Sequence, residues 1–171
     1  PDMYVKSYRD IKLEHLKKRG IQVLVCDIDN TLVAHDESFP TEDVKSFIQR
    51  VKDDGIQVVL VSNNVKERVD RFAQGLNVKT YPFARKPLPH TYRRMMRDAG
   101  CRPQAIAVLG DQLLTDMLGA NHIGFFTILT TPVATRDLRV TKVNRIFEAM
   151  VFEVLKRQGK LRKGEYYDET M

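Results

Sequence analysis

Short apolar runs alternate with amphipathic segments along most of the chain. The run Ile21–Cys26 is β-rich and almost wholly apolar, which is typical of a strand covered on both faces. A helix is predicted after it, because four apolar residues recur at the spacing of helical turns: Val44, Phe47, Ile48 and Val51. Thr41 is a suitable N-cap for this helix, and Gly55 predicts its end.

The same alternation continues through the rest of the chain. Further strands are predicted at Ile56–Val61, Val78–Tyr81, Ala105–Leu109 and Ile123–Leu129. Further helices are predicted at Lys66–Gln74, between Pro87 and Ala99, at Leu113–Ala120 and at Thr141–Lys156. Because single helices separate the strands, we expect right-handed βαβ units, and hence an α/β fold with helices on both faces of a parallel sheet. The two ends, about Pro1–Tyr4 and Gly159–Met171, are predicted to be frayed.

Length and composition exclude several classes of protein. A chain of 171 residues and 19.7 kDa fits a single domain. The apolar runs are too short to cross a bilayer, and the first residues lack the apolar segment of a secretory signal. Two cysteines, Cys26 and Cys101, are too few for a disulfide framework. We therefore expect a cytoplasmic protein with reduced thiols.

The net charge of +6 favours a polyanionic partner. The excess lies near the C-terminus, where residues 136–163 contain nine basic and three acidic side chains. The predicted basic helix at about 141–157 carries an apolar face made of Val143, Ile146, Phe147, Met150, Val151 and Val154. This face either packs on the sheet and leaves the charges in water, or belongs to a surface that meets anionic lipid. Nucleic acid is disfavoured as the partner, because the sequence has no RNA-binding motif or aromatic stacking run.

Polar side chains follow four of the predicted strands, at the point where each strand ends. In an open parallel sheet, ligands bind outside the carboxyl ends of the strands. We therefore expect three carboxylates, a hydroxyl and an ammonium group to converge at one edge: Asp27, Asp29 and Asp111, Ser62, and Lys86. Asn63 directly follows Ser62, and Asp116 lies about one helical turn after Asp111. Each one alone has an ordinary structural interpretation as a turn residue, a cap or a surface charge. Their occurrence in order, each after a strand, favours a functional site.

The chemistry of this set indicates phosphoryl transfer to water. Asp27, Asp29 and Asp111 form a negative cluster of oxygen ligands that favours Mg²⁺. Lys86 and Ser62 supply the charge and the donor that hold a phosphoryl group. One aspartate can attack phosphorus to give an aspartyl-phosphate, and another can protonate the leaving oxygen and then activate water.

At these residues the sequence resembles the haloacid dehalogenase (HAD) superfamily of phosphatases. The matching segments are Asp27-Ile28-Asp29-Asn30-Thr31, then Ser62, then Lys86, then the segment from Gly110 to Asp116. The resemblance implies a Rossmann-like three-layer α/β/α sandwich with strand order 5-4-1-2-3. It implies Asp27 as nucleophile and Asp29 as general acid and base, with Ser62, Asn63 and Lys86 binding phosphate. It also implies Mg²⁺ held by Asp27, by Asp29 through its backbone carbonyl, and by Asp111, with Asp116 as a neighbour that orients the ligands.

Further motifs of the sequence are similar to those of the YqeG-type branch of HAD subfamily IIIA. The segments that carry this similarity are Ser62-Asn63-Asn64, Ala84-Arg85-Lys86-Pro87 and the segment from Gly110 to Asn121, after which His122 and Ile123 depart from the expected Arg-Leu. That branch resembles phosphatases that convert phosphatidylglycerophosphate to phosphatidylglycerol, so the resemblance implies a lipid phosphate as substrate. Two alternatives remain open: a soluble phosphomonoesterase for a sugar phosphate or histidinol phosphate, and a non-enzymatic nucleic-acid or ribosome-binding module.

The spacing of the motifs leaves no room for a cap domain. One loop and one helix fill the interval from Thr31 to Ser62, and one helix and one strand fill the interval from Ser62 to Lys86. We therefore expect a single domain over residues 1–171, with its catalytic core at about 21–130 and an open site. An open site suits a phosphate carried on a bulky group, such as a lipid headgroup met at the periphery of a membrane.

Overall fold

The computed structural model of the protein describes residues 1–134, 149–159 and 161–168. Its strands are β1 (Met3–Val5), β2 (Val23–Cys26), β3 (Gln57–Val61), β4 (Lys79–Tyr81), β5 (Ile106–Gly110), β6 (Phe126–Thr130) and β7 (Tyr167–Asp168). Its helices are α1 (Leu13–Lys18), α2 (Glu42–Asp53), α3 (Lys66–Ala73), α4 (His90–Ala99), α5 (Leu118–Asn121) and α6 (149–157). Short 3₁₀ turns lie at Tyr8–Asp10 and Pro103–Ala105.

The seven strands form one sheet in the order β4-β3-β2-β5-β6-β1-β7. All neighbouring pairs are parallel except β1 and β7, which run antiparallel. The five predicted strands correspond to β2 to β6 and lie in the expected order, so the α/β prediction is confirmed. Two strands that the sequence did not predict, β1 and β7, extend the sheet beyond β6.

The prediction of frayed ends is wrong for the residues that form these two strands. Met3 and Tyr4 are buried, and β1 pairs with β6 from Met3↔Ile128 to Val5↔Thr130. The carboxylate of Asp2 accepts hydrogen bonds from the backbone N–H and the hydroxyl of Thr127, both at 2.7 Å. A strand of three residues is too short to display a periodicity, so pairing with β6 decides its conformation.

Two apolar clusters cover the two faces of the sheet. One contains the apolar faces of α1, α2 and α3, and the other contains buried residues of α4 and α5. Phe126 belongs to the first cluster and Phe125 to the second, so the two adjacent rings lie on opposite faces, as strand alternation requires. The helices therefore form the outer layers of an α/β/α sandwich.

The best-predicted helix is α2. All four predicted apolar residues are buried, the hydroxyl of Thr41 accepts a hydrogen bond from Val44 N–H at 3.3 Å, and Gly55 follows with φ +79°. The predicted helix at Leu113–Ala120 is less regular, because it begins with a π-helical turn at Leu113–Met117 before α5. None of the helices in residues 1–134 and 149–159 is long and apolar enough to cross a bilayer.

The predicted basic helix is described only from residue 149 onward, and its residues 141–148 lie outside the described part. Within α6, Val151, Phe152 and Leu155 pack against a cluster that contains Tyr4 and Leu129. Met150 and Val154 of the predicted apolar face are exposed, so the face does not pack on the sheet at these two positions. The helix therefore presents a face rotated from the predicted one to the sheet.

Candidate active site

Three carboxylates meet at the carboxyl edge of the sheet. Asp27 directly follows β2, Asp111 directly follows β5, and Asp116 lies in the π-helical turn after β5. All three are buried, and each offers an oxygen within 4.8 Å of the others. Because β2 and β5 are parallel neighbours, their carboxyl ends place these groups side by side. Three buried carboxylates repel one another, so the site requires positive charge.

Lys86 supplies one positive charge within the cluster. Its Nζ lies 2.6 Å from Oδ1 of Asp27 and 2.6 Å from Oδ1 of Asp116. Its main chain is held by the side chain of Asn63, whose Oδ1 accepts from Lys86 N–H at 2.7 Å and whose Nδ2 donates to Lys86 O at 3.2 Å. The lysine predicted to bind phosphate therefore also restrains the carboxylate of Asp27.

A hydroxyl bridges the two carboxylates that follow β2 and β5. Oγ1 of Thr31 lies 3.1 Å from Oδ2 of Asp27 and 3.2 Å from Oδ1 of Asp111. Thr31 is buried in the turn after β2, where Asn30 has φ +62°. The left-handed conformation of Asn30 tightens this turn and brings the hydroxyl back over the cluster.

Burial and neighbouring charges shift the pKa values of Asp27 and Lys86. Burial raises the pKa of Asp27 to about 7, although the ammonium group of Lys86 acts in the opposite direction. Burial alone would lower the pKa of Lys86, but the carboxylates of Asp116 and Asp27 outweigh it and hold that pKa well above the ordinary value. Lys86 therefore remains an ammonium ion throughout the physiological range.

Asp29 lies at the mouth of the site rather than in the buried cluster. Its Oδ1 is 2.9 Å from Nη2 of Arg68 on α3 and 3.4 Å from Nδ1 of His35, and its Oδ2 accepts from Nδ2 of Asn64 at 3.4 Å. The side chain of Asp29 is 19% exposed, against 9% for that of Asp27. Two carboxylates two residues apart thus have different environments, one buried beside a lysine and one near solvent.

Ser62 and Asn63 follow β3, which is the parallel neighbour of β2. Ser62 is buried, and its Oγ accepts a hydrogen bond from Asn64 N–H at 3.1 Å. The side chain of Asn63 is bonded to the main chain of Lys86, and its contact with phosphate stays a prediction. All seven side chains predicted from the sequence lie at or beside this edge of the sheet.

Glycine permits the close approach of two site segments. A Cβ on Gly110 would collide with the side chain of Asp116, which also accepts a hydrogen bond from Gln112 N–H at 3.2 Å through Oδ2. A Cβ on Gly119 would lie 2.7 Å from the carbonyl oxygen of Pro87, the residue after Lys86. Only a residue without a side chain fits at these two positions.

The donor set fits a divalent cation. Asp27, Asp111 and Asp116 offer oxygen ligands only, and hard cations such as Mg²⁺ prefer oxygen. Three carboxylates opposite one lysine leave negative charge that a cation would balance. Asp116 is one of these three carboxylates, although the resemblance implied that it only orients the ligands. The carboxylate of Asp29 is not one of them and pairs with Arg68 instead.

Comparison with known proteins agrees with this geometry. The sequence model of the haloacid dehalogenase-like hydrolases matches residues 4–124. The chain belongs to this hydrolase family. The “Probable phosphatase YqeG” of Bacillus subtilis is 38% identical to it over 165 residues, which cover 96% of each chain.

Two further similarities concern a longer relative and a solved structure. The chloroplastic/mitochondrial phosphatidylglycerophosphate phosphatase 1 of Arabidopsis thaliana is 30% identical over 175 residues, covering 96% of this HAD-family chain and 49% of that protein. The structure of a predicted HAD-like family hydrolase from Porphyromonas gingivalis has a TM-score of 0.55 at 12% identity, covering 75% and 98% of the two chains. That likeness concerns the fold alone.

The sequence did not reveal every residue of the HAD-family site. Arg68 and Asn64 both contact Asp29, and Thr31 bridges two carboxylates. Arg68 has the spacing of an ordinary polar residue on an amphipathic helix, so no pattern distinguishes it from a surface charge. Asn64 and Thr31 lie inside the motifs that resemble the family, and that position is the one feature of the sequence that indicates a role in the site.

Proposed function

We propose that this hydrolase is a Mg²⁺-dependent phosphatase that cleaves a phosphomonoester through an aspartyl-phosphate on Asp27. The observation that carries the proposal is the buried contact between Lys86 Nζ and Asp27 Oδ1 at 2.6 Å, inside a cluster of three carboxylates. The ammonium group of the lysine orients the nucleophilic carboxylate and also attracts the phosphoryl oxygens. A family relative over 96% of the chain bears the name of a phosphatase.

In the first step, a carboxylate oxygen of Asp27 forms a bond to phosphorus while the bond from phosphorus to the leaving oxygen breaks. Asp29 donates the proton that the leaving alkoxide requires, which its partly exposed position at the mouth of the site allows. Lys86, the hydroxyl of Ser62 and the backbone N–H of Asn63 bind the equatorial phosphoryl oxygens.

In the second step, Asp29 removes a proton from water, and the resulting hydroxide forms a bond to phosphorus. The bond between phosphorus and Asp27 breaks, which releases inorganic phosphate and restores the carboxylate. Asp27, Asp111 and Asp116, with the backbone carbonyl of Asp29, are the groups that would hold Mg²⁺. When bound, Mg²⁺ neutralises the charge of the phosphoryl group and its carboxylate surroundings.

The proposed substrate is phosphatidylglycerophosphate, with phosphatidylglycerol as product. The relative from Arabidopsis thaliana that is named for this activity is 30% identical over 175 residues, which cover 96% of the chain and 49% of the relative. Neither interval between the motifs contains a cap domain: α2 and a loop fill the one between Thr31 and Ser62, and α3 and β4 fill the one before Lys86. A site without a cap supports a bulky substrate. No additional domain stands over the cluster within residues 27–116.

A side-by-side release assay tests the proposal. Inorganic phosphate is measured from phosphatidylglycerophosphate in mixed micelles and from a panel containing sugar phosphates and histidinol phosphate, with Mg²⁺ and with EDTA. We expect the highest kcat/KM for the lipid, loss of turnover in EDTA that returns with Mg²⁺, and no turnover by Asp27→Asn. Faster hydrolysis of a soluble phosphate would show that the substrate is a small metabolite and not the lipid. Turnover by Asp27→Asn would refute the covalent step.

A further inference from the structure

Exposed apolar side chains are concentrated around the candidate active site. Nine large apolar residues are exposed in the described part of the chain, and six of them lie in segments that follow the carboxyl ends of β2 to β6: Phe39, Val65, Phe83, Leu88, Leu118 and Val133. Phe83 and Leu88 are each 57% exposed and flank the segment that carries Lys86. Scattered exposure of this kind is ordinary, but its concentration at one edge indicates a contact surface.

Contacts between the loops connect these residues around Lys86. Phe83 N–H donates to Asn64 O at 3.0 Å, which places the Phe83 loop beside Val65. Gly119 abuts the carbonyl of Pro87, so α5, which begins at Leu118, lies against the segment that carries Leu88. We call Val65, Phe83, Leu88 and Leu118 the apolar rim. Phe83 and Leu88 stand three and two residues from Lys86, so the rim adjoins the segment that carries this lysine.

The charge of the adjoining segment suits an anionic surface. Residues 83–97 contain four arginines, at positions 85, 93, 94 and 97, and no aspartate or glutamate. Arg85 is exposed between Phe83 and Leu88, and Arg93 is exposed in the first turn of α4. Exposed carboxylates at this edge lie in other segments: Asp36 and Glu37 in the loop after β2, Glu42 and Asp43 in the first turn of α2, and Glu67 in the first turn of α3. Apolar side chains interleaved with arginine are suited to the interface of an anionic bilayer.

We propose that the apolar rim, with Arg85 and Arg93, docks the enzyme on an anionic lipid bilayer and places Lys86 at the level of the headgroups. Phe83 and Leu88 enter the interface, and the arginines contact lipid phosphates. This surface differs from the basic C-terminal region, whose described helix α6 packs its Val151, Phe152 and Leu155 on the protein. The inference rests on the proposed function, since it explains how a lipid phosphate reaches an open site.

A single tryptophan reports docking, because the chain contains none. The variants Phe83→Trp and Val154→Trp place the probe on the rim and on the exposed side of α6, where Val154 is 52% exposed. Each is mixed with vesicles of phosphatidylglycerol, then with vesicles of phosphatidylcholine. We expect a blue shift and quenching by brominated lipid for Phe83→Trp with phosphatidylglycerol, and neither change for Val154→Trp. A shift confined to Val154→Trp, or no shift at either position, would overturn the inference.

Loss of the rim should weaken binding without harming the site. We expect Phe83→Ser with Leu88→Ser to reduce vesicle partitioning at least about tenfold, because two large apolar side chains no longer enter the interface. Arg85→Ser should reduce it about fivefold, and less at high salt. The matched control, Met150→Ser with Val154→Ser on α6, should bind as the unmodified protein does. Equal binding by the rim variant and the control would refute the rim as the docking surface.

Activity separates this inference from the proposed function. Hydrolysis of soluble p-nitrophenyl phosphate by the rim variant should be unchanged, while hydrolysis of vesicle-borne phosphatidylglycerophosphate should fall with binding. If the rim variant loses vesicle binding while the unmodified protein hydrolyses none of the phosphates, the result would support the rim as the docking surface and refute the phosphatase activity. Equal lipid hydrolysis by rim variant and control would support the phosphatase and refute the rim. Dimerisation through Phe83 and Leu88 in sedimentation, with no vesicle binding, would assign the rim to a second copy and also overturn the inference.

Discussion

The side chain of Asn63 forms two hydrogen bonds with the main chain of Lys86, accepting from its N–H at 2.7 Å and donating to its carbonyl at 3.2 Å. The pairing joins the loop after β3 to the loop after β4, 23 residues along the chain. It fixes the backbone from which the lysine reaches into the buried cluster. The asparagine next to Ser62 is therefore a positioning residue for Lys86.

Replacing this asparagine should reduce both turnover and stability. Asn63→Ala removes both hydrogen bonds, and each contributes about 1 kcal/mol to the free energy of unfolding. We expect kcat to fall about tenfold or more, because displacement of a positioned group by a fraction of an ångström is costly. Steady-state kinetics and urea unfolding measure the two effects. A pure stability loss with unchanged kcat would contradict the positioning role.

Gly119 provides a second test of how the Lys86 loop is held. In Gly119→Ala, the new methyl group would lie 2.7 Å from the carbonyl oxygen of Pro87, so the loop or α5 must move. We expect about 1 to 3 kcal/mol of destabilisation together with lower kcat. Leu118→Ala is the control, because that side chain is exposed and its truncation leaves the contact intact. Equal melting temperatures and equal rates for both variants on a soluble substrate would show that the loop tolerates the methyl group.

The sequence predicted the position of the site well because its signals are local. Apolar runs locate β2, β3 and β5, and the parallel topology brings together the residues that follow them. The sequence alone therefore places Asp27, Lys86 and Asp111 at one edge. The distances between their oxygen and nitrogen atoms depend on side-chain packing, which periodicity does not encode.

What the sequence did not supply depends on long-range contacts. Strand β1 has three residues and exists through its pairing with β6, more than 120 residues away. Arg68 reaches Asp29 across 39 residues, and nothing in the pattern of α3 distinguishes it from Arg71. The π-helical turn after β5 carries Asp116, whose side chain lies against Gly110, and no periodicity of the sequence indicates this contact. Each of these features is decided by tertiary packing rather than by local propensity.

The contact between Arg68 and Asp29 should matter most for substrates with poor leaving groups. Arg68→Met removes the guanidinium that lies 2.9 Å from Oδ1 of Asp29, so the proposed acid loses its orientation. We expect kcat for alkyl phosphates to fall about tenfold, because an alkoxide must be protonated as it leaves. Nitrophenolate leaves without a proton, so p-nitrophenyl phosphate should be affected much less. The control is Arg71→Met, an exposed arginine on the same helix. Equal losses for both substrates would contradict the orienting role.

The buried charge of Asp27 should make the metal-free protein less stable as the pH rises. Burial raises the pKa of Asp27 from 3.8 to about 7, with Lys86 opposing the shift. Between these values the folded protein holds a proton that the unfolded chain has released, so the free energy of unfolding declines from about pH 4 to about pH 7. Asp27→Asn cannot lose that proton and should escape this part of the decline.

The measurement is urea unfolding in EDTA at several pH values from 4.5 to 7.5, for the unmodified protein and for Asp27→Asn. The difference in the free energy of unfolding, variant minus unmodified protein, should grow steadily toward neutral pH, because the remaining titrating groups are common to both. Lys86→Met should act in the opposite direction, costing about 3 to 5 kcal/mol at pH 7, since it leaves buried carboxylates without their cation. A difference between Asp27→Asn and the unmodified protein that does not change with pH would show that the Asp27 carboxylate is already ionised at pH 4.5.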